Sequence, residues 1–586
     1  MTMIRIPFFS GMAPRVAERL LRPEQAALAT NCRLSSGELA PLPAPAKVLP
    51  LADRRAPGTI LLLAGRRWLA WPTRVEAAPA AAPGDETGRT CFTGLDAPRV
   101  TDLSMALADG VPPASRLLGV PAPGRAPVLA PGPGGDGAPS AVAYCHTFVT
   151  DRGEEGPPSS PSSVADVLPG QEVAVYGLEA PPPGHGITRR RVYRTAAPSE
   201  GVSLWLFVAE LGAEANSCVD SRLDADLGEM LPSLEWSPPP AGLRGVVAMP
   251  NGFLAGFVGN QVCFSEPWRP FAWPQGYRLT LDSPVTGLGV FGTTLVAATA
   301  DYPALISGGH PAAVSMSRLP DPQPCVSAAG LTSSELGVLY PCPDGLYLIG
   351  PGGGRLVTRE LMTREEWQAL RPETMCAAMH DGRYVAFFRE PEADPWSWED
   401  VGSQPLGGTL GGVCLNRRIV HGSRLEELDV PYTPPSGRGL VLDLGAPNAA
   451  DPALSLLDWH SPALHREPGR DTLYLAKADG EAWAVFDMAG EPDGPSLEMT
   501  WRSKVFASVS AMTMAAARVD ADFGERGSLT VTILADGVER LSRVLADSRP
   551  FRLPAGFRAR AWQVEARGTA RVREIRLASS MEELNG

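Results

Sequence analysis

Three adjacent carboxylate pairs, Glu154-Glu155, Glu365-Glu366 and Glu582-Glu583, are the side chains best suited to general acid–base work. Cleavage of a glycosidic bond needs two carboxyls facing each other across a pocket. All three pairs lie in turns or polar segments, and nothing in their spacing sets one opposite another. Asp220, Asp224 and Asp226 form an acidic cluster of the kind that binds calcium, but the run lacks the glycine and the terminal glutamate of a recognised loop. The glycine run Pro351-Gly-Gly-Gly-Arg355 is not followed by a phosphate-binding Lys-Ser/Thr or by a helix, so it reads as a long hairpin turn. No Gly-x-Ser-x-Gly occurs, and no Ser, His and Asp set stands out. The nine cysteines, at 32, 91, 145, 218, 263, 325, 342, 376 and 414, are odd in number and form no C-x-x-C. Flanks such as Val262-Cys263-Phe264 and Val413-Cys414-Leu415 point to buried, unbridged thiols. Seven scattered histidines offer no zinc set, and the thirteen tryptophans are expected to fill gaps in a core rather than stack on ligands. The expectation is a protein with no catalytic residue, no cofactor-binding residue and no metal ligand, and not an enzyme.

The composition agrees with a structural role. With 586 residues the chain should hold three or four domains, and 44% hydrophobic against 20% charged residues gives it enough apolar mass for cores. Gly 61 and Pro 60 are high for a helical protein and suit many short strands joined by turns. A net charge of −13 argues against tight binding to a phosphate backbone, which needs clustered cations. No apolar run reaches the length of a membrane span or a signal peptide, so the chain is expected to be soluble and made in a cytoplasm.

The elements that would position any site are mostly strands. Helix is expected only near 14–30 and over 363–370, where Thr363 and Glu366 form a capping box. Ile60-Leu-Leu-Leu-Ala-Gly-Arg-Arg-Trp-Leu-Ala-Trp reads as a first hairpin. Pro121 to Pro139 reads as a linker, followed by strands around Val142–Phe148, Val173–Val175, Arg189–Thr195 and Ser203–Leu211, a small antiparallel sandwich. Arg189-Arg190-Arg191 resembles a basic patch but is better read as outward positions of a strand. From Trp236 a repeated grammar appears: apolar run, turn, apolar run. The turns are Gly259-Asn260, Gly292-Thr293, Asp344-Gly345, Asp381-Gly382 and Asp479-Gly480, of which Asp-Gly is the strongest hairpin signal. Intervals of about 35–50 residues match four-stranded propeller blades, about five to seven of them. The block after Trp501 alternates apolar with charged residues, including an Asp536-Gly537 hairpin, as in a sandwich with a solvated arginine-rich face. The fold class expected is all-β: a β-propeller with an inserted sandwich and a C-terminal antiparallel β-sandwich. The divisions are 1–118 (N-terminal segment and first propeller strands), 119–236 (inserted sandwich), 237–500 (propeller blades) and 501–586 (C-terminal β domain).

Three stretches carry a resemblance. Gly11-Met-Ala-Pro-Arg-Val-Ala-Glu-Arg-Leu-Leu with Ala29-Thr-Asn-Cys-Arg-Leu-Ser-Ser-Gly-Glu-Leu-Ala-Pro-Leu is similar to the opening of tail nozzle (tail tubular B) proteins of short-tailed bacteriophages. Tyr144-Cys-His-Thr-Phe-Val-Thr-Asp-Arg-Gly-Glu-Glu-Gly-Pro-Pro-Ser, with Arg191-Val-Tyr-Arg-Thr and Leu227-Gly-Glu-Met-Leu-Pro-Ser, resembles the fibronectin-like insertion of many virion proteins. Trp501-Arg-Ser-Lys-Val-Phe, Arg558-Ala-Arg-Ala-Trp-Gln-Val-Glu and Ala578-Ser-Ser-Met-Glu-Glu-Leu resemble the close of such proteins. The resemblance implies a podovirus-like structural protein of the virion tail, made in the host cytoplasm. It would assemble as a homo-oligomeric, sixfold ring that contacts a head-to-tail adaptor and tail fibre or needle proteins, without a membrane span. Double-stranded DNA would pass through it during ejection without being held. Arginine-rich faces of the C-terminal strands would pair with acidic neighbours. The alternative is a propeller that binds or cleaves glycan.

Overall fold

A computed structural model describes residues 3–584, apart from 53–54, 107–112, 197–202, 391–417, 422–423, 428–436, 446–451, 468–469, 480–481, 492–493 and 525–526. The protein is all-β, as the turn grammar predicts. Among the described residues the one α-helix is Arg364–Ala369, and its Thr363/Glu366 capping box is formed, with Glu366 N donating to Thr363 Oγ1 at 3.2 Å and Thr363 N to Glu366 Oε2 at 2.8 Å.

Antiparallel sheets follow one another in the manner of propeller blades. Sheet I is the hairpin Thr59–Leu63/Arg67–Trp71; sheet II holds Glu76–Pro79, Thr90–Thr93, Arg99–Thr101 and Arg116–Leu117. Sheet III runs from Arg244–Ala248 to Arg278–Thr280, sheet IV from Val285–Phe291 to Ser315–Arg318, and sheet V from Thr332–Ser334 to Gly353–Leu356. Sheet VI opens with Cys376–His380 and Arg383–Arg389 and continues through Gly437–Asp443 and Ala453–Leu457. Sheet VII is Leu464–Glu467, Thr472–Asp479 and Ala482–Asp487, completed by the early strand Ala46–Pro50.

The predicted turns Gly259-Asn260, Gly292-Thr293, Asp381-Gly382 and Asp536-Gly537 fall between paired strands, whereas Asp344-Gly345 is displaced by one residue: Gly345 already pairs with Cys342, and the turn is Pro343-Asp344. Asp381 (φ 49) and Gly382 (φ 72) both take the positive φ that a tight two-residue turn requires. Gly480 lies outside the described residues, as does Cys414. The gaps between sheets are filled by separate apolar clusters. Trp71 and Phe92 meet between I and II, Val246 and Cys91 between II and III, Leu288 and Phe264 between III and IV. Val296 and Tyr340 lie between IV and V, Leu339 and Tyr384 between V and VI, and Phe387 and Leu475 between VI and VII. Val485 and Ile60 join VII to I.

Sheet VI does not stop at its fourth strand. Ala26–Thr30 lies parallel to Ala453–Leu457 and antiparallel to Met499–Ser503, so one sheet of ten strands passes from the blade into the C-terminal sandwich. Helix was expected near 14–30, and the structure overturns it: 14–25 is a series of turns and Ala26–Thr30 is a strand. Pro23 leaves too short a run for an independent helix, and the slot between two strands claims Ala26 and Ala29, both buried. The C-terminal sandwich packs Met3–Ile6, Arg571–Ala578, Ala516–Asp522 and Phe551–Arg552 against the Met499–Ser503, Ala559–Gly568, Leu529–Ala535 and Val538–Leu545 sheet, around Trp501, Trp562, Val531 and Ile575.

The insertion between sheets II and III is a sandwich of its own. Tyr144–Thr150, Ile187–Ala196 and Leu204–Gly212 form one sheet, and Val128–Pro131, Val173–Tyr176 and Ser217–Asp220 another. The expected linker 121–139 is corrected here: Val128–Pro131 is an edge strand paired to Val173–Tyr176. Three β-compatible residues suffice for a strand at an edge, where the Pro131 nitrogen needs no partner.

Candidate functional site

The first strands of sheets II to IV are terminal strands, hydrogen-bonded on one side only, and with the segment before sheet V they line a cavity of about 660 Å³. Its wall takes Arg74 and Glu76 from the start of sheet II, Arg244 and Val247 from sheet III, Thr286 from sheet IV and Ala328 from the turn before sheet V. Arg74 is fixed at two points: its Nε lies 3.1 Å from Glu76 Oε1 and its Nη2 donates to the Ala328 carbonyl at 2.9 Å. Thr93 Oγ1 reaches the other Glu76 oxygen at 3.5 Å and accepts from Val246 N at 3.3 Å, which ties sheet II to sheet III. Glu76 is the one carboxylate among the lining residues. A glycosidase needs two, about 5–9.5 Å apart. The cavity therefore has the form of a binding recess with two arginines and one paired glutamate. The sequence alone singled out neither Arg74 nor Glu76, because their meeting with Arg244 and Ala328 depends on how the blades succeed one another.

The charged residues that did stand out in the sequence fasten pieces of the fold together. The turn Asp151–Glu155 of the insertion meets sheet II through three ion pairs: Arg152 with Asp102, Glu154 with Arg89 at 2.5 Å, and Asp151 with Arg116 at 2.7 Å. Asp102 has no exposed side-chain surface. Burial pushes its carboxyl up, but the Ser104 hydroxyl, two backbone N–H groups and the Arg152 guanidinium outweigh that and hold it below the usual carboxylate range. Glu155 accepts from Thr147 Oγ1 at 2.8 Å and from Tyr193 Oη at 2.7 Å and pairs with Arg191. Asp220 and Asp224 both bind Arg194, at 2.8 and 2.7 Å, and Asp220 also accepts from Tyr144 Oη at 2.7 Å. Two of the three acidic residues of the cluster thus share one arginine. Among the described residues no group of three or more His, Cys, Asp or Glu is placed to hold a metal ion. Glu366 caps its helix, and Glu583 binds Ser579.

Arg189 and Arg191 lie outward and share Glu210, as the strand reading expects. Arg190 departs from it. It is 1% exposed, donates to the Ala213 carbonyl and stacks over Phe148 at 5.8 Å. A run of three in one strand must send its middle member to the other face. Beside it His146 is fully buried, with neither ring nitrogen hydrogen-bonded; burial, then the nearby Arg190 charge, drives its pKa down to about 4. The eight described cysteines are unbridged, and burial pushes thiols such as Cys32 and Cys91 up to about 12. Four arginines of the C-terminal block are matched within the chain: Arg571 with Glu38, Arg576 with Glu574 at 2.6 Å, Arg502 with Glu565 at 2.6 Å and Arg567 with Glu498 at 2.7 Å. Trp71, Trp273, Trp367, Trp501 and Trp562 are fully buried, as expected of gap-fillers, whereas Trp268 is 53% exposed.

No family model and no curated protein matches this chain. Solved structures give slight likenesses. An exo-beta-1,3-galactanase from Phanerochaete chrysosporium is 8% identical with a TM-score of 0.17, over 66% of this chain and 93% of that one. PorZ of the type-IX secretion system of Porphyromonas gingivalis is 10% identical with a TM-score of 0.18, over 82% and 59%. The extracellular domain of the hybrid two-component system BT4673 from B. thetaiotaomicron is 6% identical with a TM-score of 0.19, over 94% and 80%. Likenesses of this size assign no activity.

Proposed function

We propose that the chain is a structural subunit of a phage tail, one copy of an oligomeric nozzle ring through which double-stranded DNA leaves the capsid. The observation that carries the reading is the use made of the opening segment, one of the three stretches that resemble nozzle proteins. Gly11 packs so closely on Leu454 that a Cβ there would overlap its backbone. Met12 N donates to Leu454 O at 2.9 Å, Arg15 N to Leu361 O at 2.9 Å, and Glu18 accepts from Gln563 Nε2 at 3.0 Å. Residues 11–31 thus strap blade sheets to the C-terminal sandwich, and a conduit under pressure needs its parts joined in that way. Contacts between copies would fall to sheet edges, with the arginine-rich faces of the C-terminal strands, matched within the chain only in part, available to acidic neighbours. The edge strand Val538–Leu545 leaves Val538 and Val544 52% and 71% exposed. Native mass measurement and electron microscopy of the protein, alone and with tail components, test this. A ring is expected, and a monomer under both conditions overturns it.

A second reading, glycan binding, is favoured by the cavity with Arg74, Glu76 and Arg244. The lone carboxylate suits binding without cleavage. Glu76→Gln should abolish any ligand affinity that resides there.

A further inference from the structure

The segment Glu266-Pro267-Trp268-Arg269 closes a tight turn, with Arg269 N donating to Glu266 O at 3.1 Å. Pro267 at the second position and φ 61 at Trp268 in the third are the marks of a type II turn. That third position favours glycine or asparagine, since a side chain there crowds the backbone. A tryptophan is the least expected occupant. Strain of this kind persists where surroundings enforce it and is associated with function.

The surroundings are specific. Trp268 N donates to Gly252 O at 2.7 Å. The indole lies flat on Gly252, where a Cβ would sit 2.7 Å from Cε2 and 2.8 Å from Cδ2 of the ring; Gly252 itself has φ 79. One face of the ring is therefore covered and the other is turned to solvent, which accounts for the 53% exposure. The chain neighbours of the stack are polar: Asn251, beside Gly252, donates its Nδ2 to Gly309 O at 2.9 Å, and Glu266 opens the turn two residues before Trp268. Arg269 is turned aside, its guanidinium over Trp236 at 5.1 Å.

We propose that Trp268 is the platform of a glycan-binding site, stacking on the apolar C–H face of a pyranose ring while Glu266 and Asn251 accept hydrogen bonds from its hydroxyls. A nucleobase would stack equally well. However, the neighbouring carboxylate repels the phosphate that accompanies it, and the nearest guanidinium is engaged elsewhere. The site shares no residue with the lining of the cavity beside Arg74 and stands independently of the tail assignment.

The test titrates the full chain with hexasaccharides of glucose, galactose, mannose and N-acetylglucosamine, read by indole fluorescence and saturation-transfer NMR. At least one probe is expected to bind. Trp268→Gly should weaken it at least about tenfold while the melting temperature stays level or rises, because glycine relieves the turn. Trp268→Asn, which also tolerates positive φ, should match it, and Tyr176→Ala, at an exposed aromatic of the insertion, should leave binding unchanged. Failure of all four probes to bind overturns the proposal. So does undiminished binding by both Trp268 variants, an equal loss through Tyr176→Ala, or Trp268-dependent capture of a thymidine oligonucleotide in place of sugar.

Discussion

The side-chain amide of Asn31 donates to the Glu498 carbonyl at 3.0 Å, joining positions 467 residues apart, while the Asn31 backbone holds φ 54. Its own N–H donates to Leu456 O at 2.8 Å and its carbonyl accepts from Leu42 N at 2.9 Å. One residue thus links the extended sheet VI, the early chain and the C-terminal sandwich. Asn31→Ala removes the amide and places an ordinary residue at positive φ. It should cost about 2–4 kcal/mol in denaturant unfolding. Asn31→Gly keeps the backbone conformation and should cost about half as much.

The insertion is docked by a pair of which one member is fully buried. Arg152→Ala leaves the Asp102 carboxylate without its countercharge, and a loss of about 3 kcal/mol is expected. Adding Asp102→Asn should recover part of it. Hydrogen exchange should show the opening at 151–155 and 99–102 first. Equal, additive losses from the two substitutions would contradict the coupling.

Acid should loosen the same sandwich. His146 has a folded pKa of about 4 against 6.5 when unfolded, so between those values the unfolded chain binds the extra proton. The stabilisation is complete above pH 6.5 and is lost as pH falls towards 4, amounting to about 3 kcal/mol. His460, between sheets VI and VII, and His465, within sheet VII, are also lowered to about 4 by burial and give those blades the same acid sensitivity in that window. His146→Phe should flatten the pH dependence of the insertion's melting.

Thr363→Ala removes the hydroxyl that accepts from the Glu366 N–H, one half of the capping box on Arg364–Ala369, and a loss of about 1 kcal/mol is expected in thermal melting. The effect should be visible in the environment of Trp367, which is buried and donates from Nε1 to the Cys342 carbonyl at 2.8 Å.

Local chemistry was legible wherever the answer is local. Asp381-Gly382 and Thr363/Glu366 each name their turn or cap with no help from distant residues. What stayed hidden depends on partners far along the chain. Ala26–Thr30 has helix-compatible residues and becomes a strand because two other strands leave a slot for it. Val128–Pro131 is hidden by surrounding Pro and Gly, yet Val173–Tyr176 offers it an edge. Arg190 shows that a charge run need not be solvated on every member. Trp268 was readable in principle: a Pro-Trp pair in a turn with no glycine is the signal, and it was masked by the general habit of tryptophans to fill cores.

The early strands have a consequence for biosynthesis. Met3–Ile6 pairs with Arg571–Ala578, Ala26–Thr30 with Met499–Ser503, and Ala46–Pro50 with Ala482–Asp487. Each leaves the ribosome long before its partner exists. At about 5–20 residues per second, the 467-residue separation between Asn31 and Glu498 corresponds to roughly 20–90 s of waiting. During that interval the unpaired strand edges are open to neighbouring nascent chains on the same message. Production should therefore depend on holding chaperones and on slow initiation, and should suffer most when translation is crowded.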